Sequence, residues 1–196
     1  MSIASMIYID DHINDFDLEQ ALAEVSPQRR EQALRYRQEI DRRLSVAAYR
    51  LLKRALWLEY AIPEVPEITY GHDGKPQFIS YGIKFSLSHC RAAVACAVSD
   101  RPVGIDIETM DHYSTELAAR VMSQTEVNRI NHSPDPALTF TRLWTMKESL
   151  FKLTGDDNGG DIAGMLKNAD QYDFTTIVHP TFLVTACQRK EDDSKK

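Results

Sequence analysis

The stretch "RPVGIDIETM" (residues 101–110) sets two acids, Asp106 and Glu108, among Val103, Ile105 and Ile107. In an extended strand, residues two apart share a face, so the acids project together while Ile105 and Ile107 turn to the core. Two carboxylates side by side repel unless a cation or a shared proton neutralises them. Alone, the pair reads equally well as the polar outer face of a strand.

Upstream lie two apolar runs, "IKFSLSH" (83–89) and "AAVACAV" (92–98), then the turn signal "SDRP" (99–102). The short connection between the runs predicts a hairpin. Further back, "MIYIDD" (6–11) reads as a first strand and Asp17 to Val25 as a short helix. Ser26-Pro27 opens one long helical stretch, with Ser26 as cap and Pro27 where a missing N–H costs nothing. Apolar residues recur in it at helical spacing (Leu44, Ala47, Ala48, Leu51, Leu52, Ala55, Leu56), and it stops before Pro63. "EITYGHDGKPQF" (67–78) is a strand broken by a turn at Gly74-Lys75-Pro76.

Downstream the pattern turns helical. "STELAARVM" (114–122) is followed by "SQTEVNRI" (123–130), where Ser123 and Glu126 have capping-box spacing. A longer helix is expected from near Ser133-Pro134 to a stop at Gly155. "DDNGGD" (156–161) is a loop, "YDFTTIV" (172–178) and "TFLVTACQ" (181–188) are strands joined at His179-Pro180, and "KEDDSKK" (190–196) is a frayed tail. No repeat is visible, but the order of elements fits an α+β fold of two halves, 1–100 and 101–196.

A hydrophobic share of 43% and a charged share of 27% exclude a disordered chain. The start has no basic segment before its short apolar run, and no run approaches the ~18 apolar residues of a membrane span. A soluble, cytoplasmic protein with no membrane contact is expected. Cys90, Cys96 and Cys187 form no CxxC pair and read as reduced, packed thiols. The net charge of −6 argues against nucleic acid, yet residues 28–57 hold nine Lys/Arg against three acids. That segment is either a solvated helix face or a surface for a phosphate-bearing ligand or an acidic partner.

Two further constellations carry chemistry. In "LWTMKESLFK", Trp144, Glu148 and Lys152 lie four apart and share one helical face, flanked by Lys147. Alone this is equally a surface ion pair beside a core tryptophan. In "FSLSHC", Phe85 and Leu87 alternate with Ser86 and Ser88, and His89 ends the strand as either a structural or a ligand-contacting residue. Together, Asp106, Glu108 and Glu148 offer an open, oxygen-rich set of the kind Mg²⁺ takes with phosphate oxygens and water. A lysine one turn past Glu148 neutralises phosphate charge that a metal leaves over. The set suits phosphoryl-type transfer, in which positioning and charge stabilisation supply most of the catalysis.

"GKP" (74–76), "FSLSH" (85–89), "VGIDIE" (103–108), "VMSQTE" (121–126) and "WTMKESLFK" (144–152) stand in the order seen in another group of proteins. From about Ser26 to Gly155 the chain resembles the 4′-phosphopantetheinyl transferases of the surfactin-synthetase-activating (Sfp-like) type. The resemblance implies a pseudo-two-fold pair of similar α/β halves with the active site in the cleft between them. It implies transfer of the 4′-phosphopantetheine arm of coenzyme A to a serine of an apo acyl or peptidyl carrier protein, with Mg²⁺ required and adenosine 3′,5′-bisphosphate released.

By matching motif positions, the resemblance makes Asp106, Glu108 and Glu148 the metal ligands, with Glu148 also the general base for the carrier serine. Lys152 meets the pyrophosphate, His89 with Ser88 the 3′-phosphate, and Lys75 and Pro76 the adenine and its phosphates. Arg43, or Arg42 beside it, reaches the 3′-phosphate from the long helix. A monomer is expected, because each half can supply part of one cleft. "TGDDNGGDIAGM" (154–165) departs from the glycine-rich turn usual in the family and leaves carrier breadth open. Glu148 can serve as base only if its helix packs on the GIDIE strand.

Overall fold

Strand β5 (Val94–Ser99) is buried on both faces, and its alternation assigns each face a different partner. Val94, Cys96 and Val98 pack against helix α3 (Glu39–Tyr60), which presents Leu44, Ala47, Ala48, Leu51, Leu52, Ala55 and Leu56. Each fully buried Val or Leu here contributes about 1.5–3 kcal/mol. The other face carries Ala93, Ala95 and Ala97, small enough to bring a second sheet close. That sheet supplies Ile105 and Ile107 from β6 (Gly104–Thr109) and Phe182, Val184 and Ala186 from β8 (Phe182–Arg189).

The protein is described from a computed structural model covering residues 6–71, 74–155 and 161–191. Its remaining elements are β1 (Ile7–Asp10), α1 (Leu18–Glu24), α2 (Pro27–Leu34), β2 (Ile68–Tyr70), β3 (Pro76–Phe78), β4 (Lys84–His89), α4 (Thr115–Val121), α5 (Gln124–Asn131), α6 (Pro136–Thr154) and β7 (Tyr172–Val178). One antiparallel sheet has the order β1-β5-β4, a second has β6-β8-β7, and β2 and β3 form a separate hairpin. In both three-stranded sheets a strand is followed by helices and then a hairpin whose last strand lies in the middle. The expected mix of helix and sheet, the β4–β5 hairpin and the β7–β8 pair are all present.

The single long helix expected from Ser26 is two helices, α2 and α3. Ala33 near the end of α2 packs in one cluster with Val46 and Tyr49 of α3. In one straight helix Ala33 and Tyr49 would stand about 24 Å apart. The break at Arg35–Gln38 lets α2 fold back, and the α3 arginine Arg42 fastens it by donating Nε–H to the Tyr36 carbonyl at 2.8 Å. At its far end α3 stops at Ala61, which takes a left-handed conformation (φ 54°) with its N–H returned to the last turn.

The start of α6 also shifts, from the expected Ser133-Pro134 to Pro136. Asp135 is the cap and accepts from the Leu138 N–H at 2.9 Å. The capping box of α5 forms as its spacing predicts, with Ser123 and Glu126 each bonding the other's backbone N–H. All three cysteines are free and buried. Among the described residues no helix is long and apolar enough to cross a membrane. The loop expected at 156–161 and the tail at 190–196 lie largely outside the described residues, as does the start of the chain through residue 5.

Candidate active site

Gly104, Asp106 and Glu108 lie on the face of β6 that meets α6. A Cβ on Gly104 would stand 1.9 Å from the Ser149 carbonyl oxygen and 2.8 Å from the Leu153 nitrogen. Only glycine lets the helix backbone come this close, and the approach sets the acids of "GIDIE" beside the polar stripe of α6. The packing of the helix on the strand, on which the role of Glu148 depends, is therefore present.

Asp106 is buried, and its Oδ1 accepts from the Ser88 hydroxyl at 2.9 Å and from the Lys152 ammonium at 2.7 Å. Lys152 also donates to Ser88 Oγ at 2.7 Å. One contact point thus gathers "FSLSH", "GIDIE" and "KESLFK". The adjacent Ser86 hydroxyl accepts from the Ile105 N–H at 3.1 Å, so serine side chains join β4 to β6 where no backbone ladder does.

Charge is unbalanced here. Burial first, then the negative charge of Asp106, raises the pKa of both Glu108 and Glu148, and Lys152 only partly opposes this. Glu108 is also held by a hydrogen bond from Trp144. The other carboxylate oxygen of Asp106, Oδ2, is buried and has no hydrogen-bond partner. Leaving such an oxygen unpaired costs about 1–3 kcal/mol, so this donor set fits a hard divalent cation. The acids are not drawn to one point, however: among the described residues no three His, Cys, Asp or Glu side chains are gathered closely enough to hold one ion.

His89 ends β4 within reach of Lys152 and of Asp41 on α3. Burial, and then the ammonium of Lys152, hold its pKa below the ordinary value, which favours the neutral ring. Lys75 donates to the Leu153 carbonyl at the end of α6. Gly74, Lys75 and Pro76 line a cavity of about 300 Å³ together with Phe85–Leu87, Phe151, Lys152 and Gly155. Gly74 has a φ of +74°, which the turn before β3 requires.

Arg43 is not drawn into this group. Its guanidinium pairs with Glu39 at 2.9 Å, donates to the Phe16 carbonyl at 2.8 Å and lies 5.5 Å over the Phe16 ring. Arg42 is committed to Tyr36. Ser88 is committed to Asp106 and Lys152, so its hydroxyl supports the acid directly.

Two features went unread in the sequence. Lys147 is buried at 1% exposure; it pairs with Glu126 at 2.9 Å and donates to the Ile162 and Ala163 carbonyls at 2.8 and 3.0 Å. One residue before Glu148 it lies about 100° around the helix, which is the signal that it faces elsewhere. Trp144 was legible only as core, yet it also reaches Glu108.

The family model described as the 4′-phosphopantetheinyl transferase superfamily matches residues 102–194. The chain is 29% identical over 154 residues to the 4′-phosphopantetheinyl transferase Sfp of Bacillus subtilis, covering 76% of this chain and 68% of that protein. It is 33% identical over 152 residues to the 4′-phosphopantetheinyl transferase psf-1 of Bacillus pumilus, covering 75% and 65%. To the 4′-phosphopantetheinyl transferase AcpT of Escherichia coli it is 37% identical over 113 residues, covering 54% and 56%. These matches span both sheets and the helix that carries Glu148 and Lys152, and the chain belongs to the 4′-phosphopantetheinyl transferase superfamily, a family of transferase enzymes.

Proposed function

We propose that the protein moves the 4′-phosphopantetheine group of coenzyme A to a serine hydroxyl of an apo acyl or peptidyl carrier protein. The observation that carries this reading is the contact of Lys152 with Asp106 and Ser88, which unites three motifs beside a cavity that the GKP turn also lines. The matching strand order of the two sheets supports a pseudo-two-fold pair of halves.

In the reaction the serine oxygen bonds to the β-phosphorus of coenzyme A, and the bond from that phosphorus to the bridging oxygen breaks. The electron pair leaves on adenosine 3′,5′-bisphosphate. The serine proton goes to Glu148, whose raised pKa makes it a better proton acceptor than an exposed glutamate. Lys152 turns its ammonium to the pyrophosphate and offsets charge on the departing phosphate. A neutral His89 donates one N–H to the 3′-phosphate, and Lys75 and Pro76 border the nucleotide. Arg43 reaches the 3′-phosphate only by exchanging its contacts with Glu39 and Phe16.

Asp106, Glu108 and Glu148 would hold Mg²⁺, which when bound supplies charge neutralisation and polarisation of the phosphoryl oxygens. The bare Oδ2 of Asp106 and the mutual repulsion of the three acids support that assignment.

The test is intact-mass spectrometry on a panel of apo carriers incubated with the protein, coenzyme A and Mg²⁺. A gain of one phosphopantetheine group is expected on at least one carrier. Folded protein that modifies none of them overturns the reading.

A further inference from the structure

We propose that the outer face of α3 is a docking groove for an acidic amphipathic helix of a protein partner. The groove is a cavity of about 500 Å³ between α1 and α3, lined by Arg50, Lys53, Arg54 and Trp57 with Val25 and Pro63. It lies apart from the Asp106 site, whose residues line none of it.

A solvated helix face does not explain these residues. Trp57 and Leu58 are 56% and 57% exposed, and the indole is a large apolar group set at the end of a row of cations. Lys53 and Arg50 lie four and seven residues before Trp57, and Arg54 lies between them in height, so the four form one stripe about 10 Å long. Among the described residues Arg50 and Arg54 have no ion-pair or hydrogen-bond partner, although Arg50 rests 5.0 Å over the Phe16 ring. Lys53 reaches only the exposed Glu64, at 2.6 Å.

The occupant follows from this layout. Carboxylates on a helix at spacings of three and four match cations held at the same spacings, and one apolar side chain beside them covers the Trp57–Pro63 wall. A single fully exposed aromatic flanked by charges is the usual anchor of such a contact. The face is locally +6 over residues 28–57 in a protein of net charge −6, a pattern suited to one acidic docking partner rather than to a general polyanion. Glu24 at the rim further disfavours a phosphate backbone.

The experiment uses the full chain without coenzyme A or any carrier, so its failure leaves the transferase reading untouched. The probe is a fluorescein-labelled, helix-stapled peptide bearing glutamates at i, i+3, i+4 and i+7 around one leucine, followed by fluorescence anisotropy. Binding is expected, weakening at least about tenfold on adding moderate salt and at least about tenfold in Arg54→Glu and in Trp57→Ser. Thermal melts of both variants check that they are folded, and Arg54 has no hydrogen bond or ion pair to lose. Absence of binding, or equal binding by both folded variants, overturns the proposal. Tighter binding of a single-stranded oligonucleotide or of anionic vesicles overturns it too. So does a doubling of the mass in light scattering that is abolished by Trp57→Ser, because the groove then belongs to a second copy.

Discussion

The ammonium of Lys152 stands 2.7 Å from Oδ1 of Asp106, across the packing of α6 on β6, while Oδ2 of the same carboxylate is buried and bare. One lysine therefore serves three acids. Asp106→Asn removes the charge at nearly constant size, and turnover is expected to fall by more than about a hundredfold. The carboxyl pKa of Glu148 should fall toward its ordinary value in the same variant, because the charge of Asp106 helps raise it. Carrier modification rates and NMR titration of Glu148 check the two parts separately.

The raised pKa values of Glu108 and Glu148 make stability depend on pH. Between the ordinary value of 4.5 and the higher folded values, the folded state binds more protons than the unfolded chain, so stability falls as pH rises through that window. The melting temperature without metal should drop across it, and Glu108→Gln/Glu148→Gln should flatten the drop. Mg²⁺ should raise the melting temperature more at pH 7 than at pH 5, where the acids are closer to neutral. A scan of melting temperature against pH, with and without Mg²⁺, decides this.

Lys147→Met should cost about 3–5 kcal/mol, because it strands the nearly buried carboxylate of Glu126 and frees the Ile162 and Ala163 carbonyls. The double variant Lys147→Met/Glu126→Gln should recover part of the loss, since no unpaired charge then remains. Urea unfolding of the two proteins measures the difference.

Gly104→Ala places a methyl group 1.9 Å from a backbone oxygen of α6, and no side-chain rearrangement can relieve that contact. A loss of about 3 kcal/mol or more is expected, with α6 lifted from β6. Thermal unfolding reads the stability. Weakened carrier modification at a temperature where the variant is still folded reads the displacement of Glu148 and Lys152.

Much was legible because it is local. The alternation of "AAVACAV" sends valines one way and alanines the other, "GIDIE" separates its acids from its isoleucines, and Ser123 and Glu126 close their box within four residues. Each depends on backbone periodicity or on groups a few residues apart, which the order of amino acids specifies directly. The motif series likewise named the family, because short stretches at compatible gaps need no coordinates.

Through-space partners could not be read this way. The fold-back at Arg35–Gln38 exists because Ala33 must meet Val46 and Tyr49. Lys147 and Lys152, five residues apart on one helix, part company because one finds Glu126 and two carbonyls while the other finds Asp106 and Ser88. Arg43 turns to Glu39 and Phe16 instead of the site. The sequence by itself determined the strands, the caps, the acids and the family. Only the tertiary structure decided which cation meets which acid, because that choice rests on burial and distance between segments far apart in the chain.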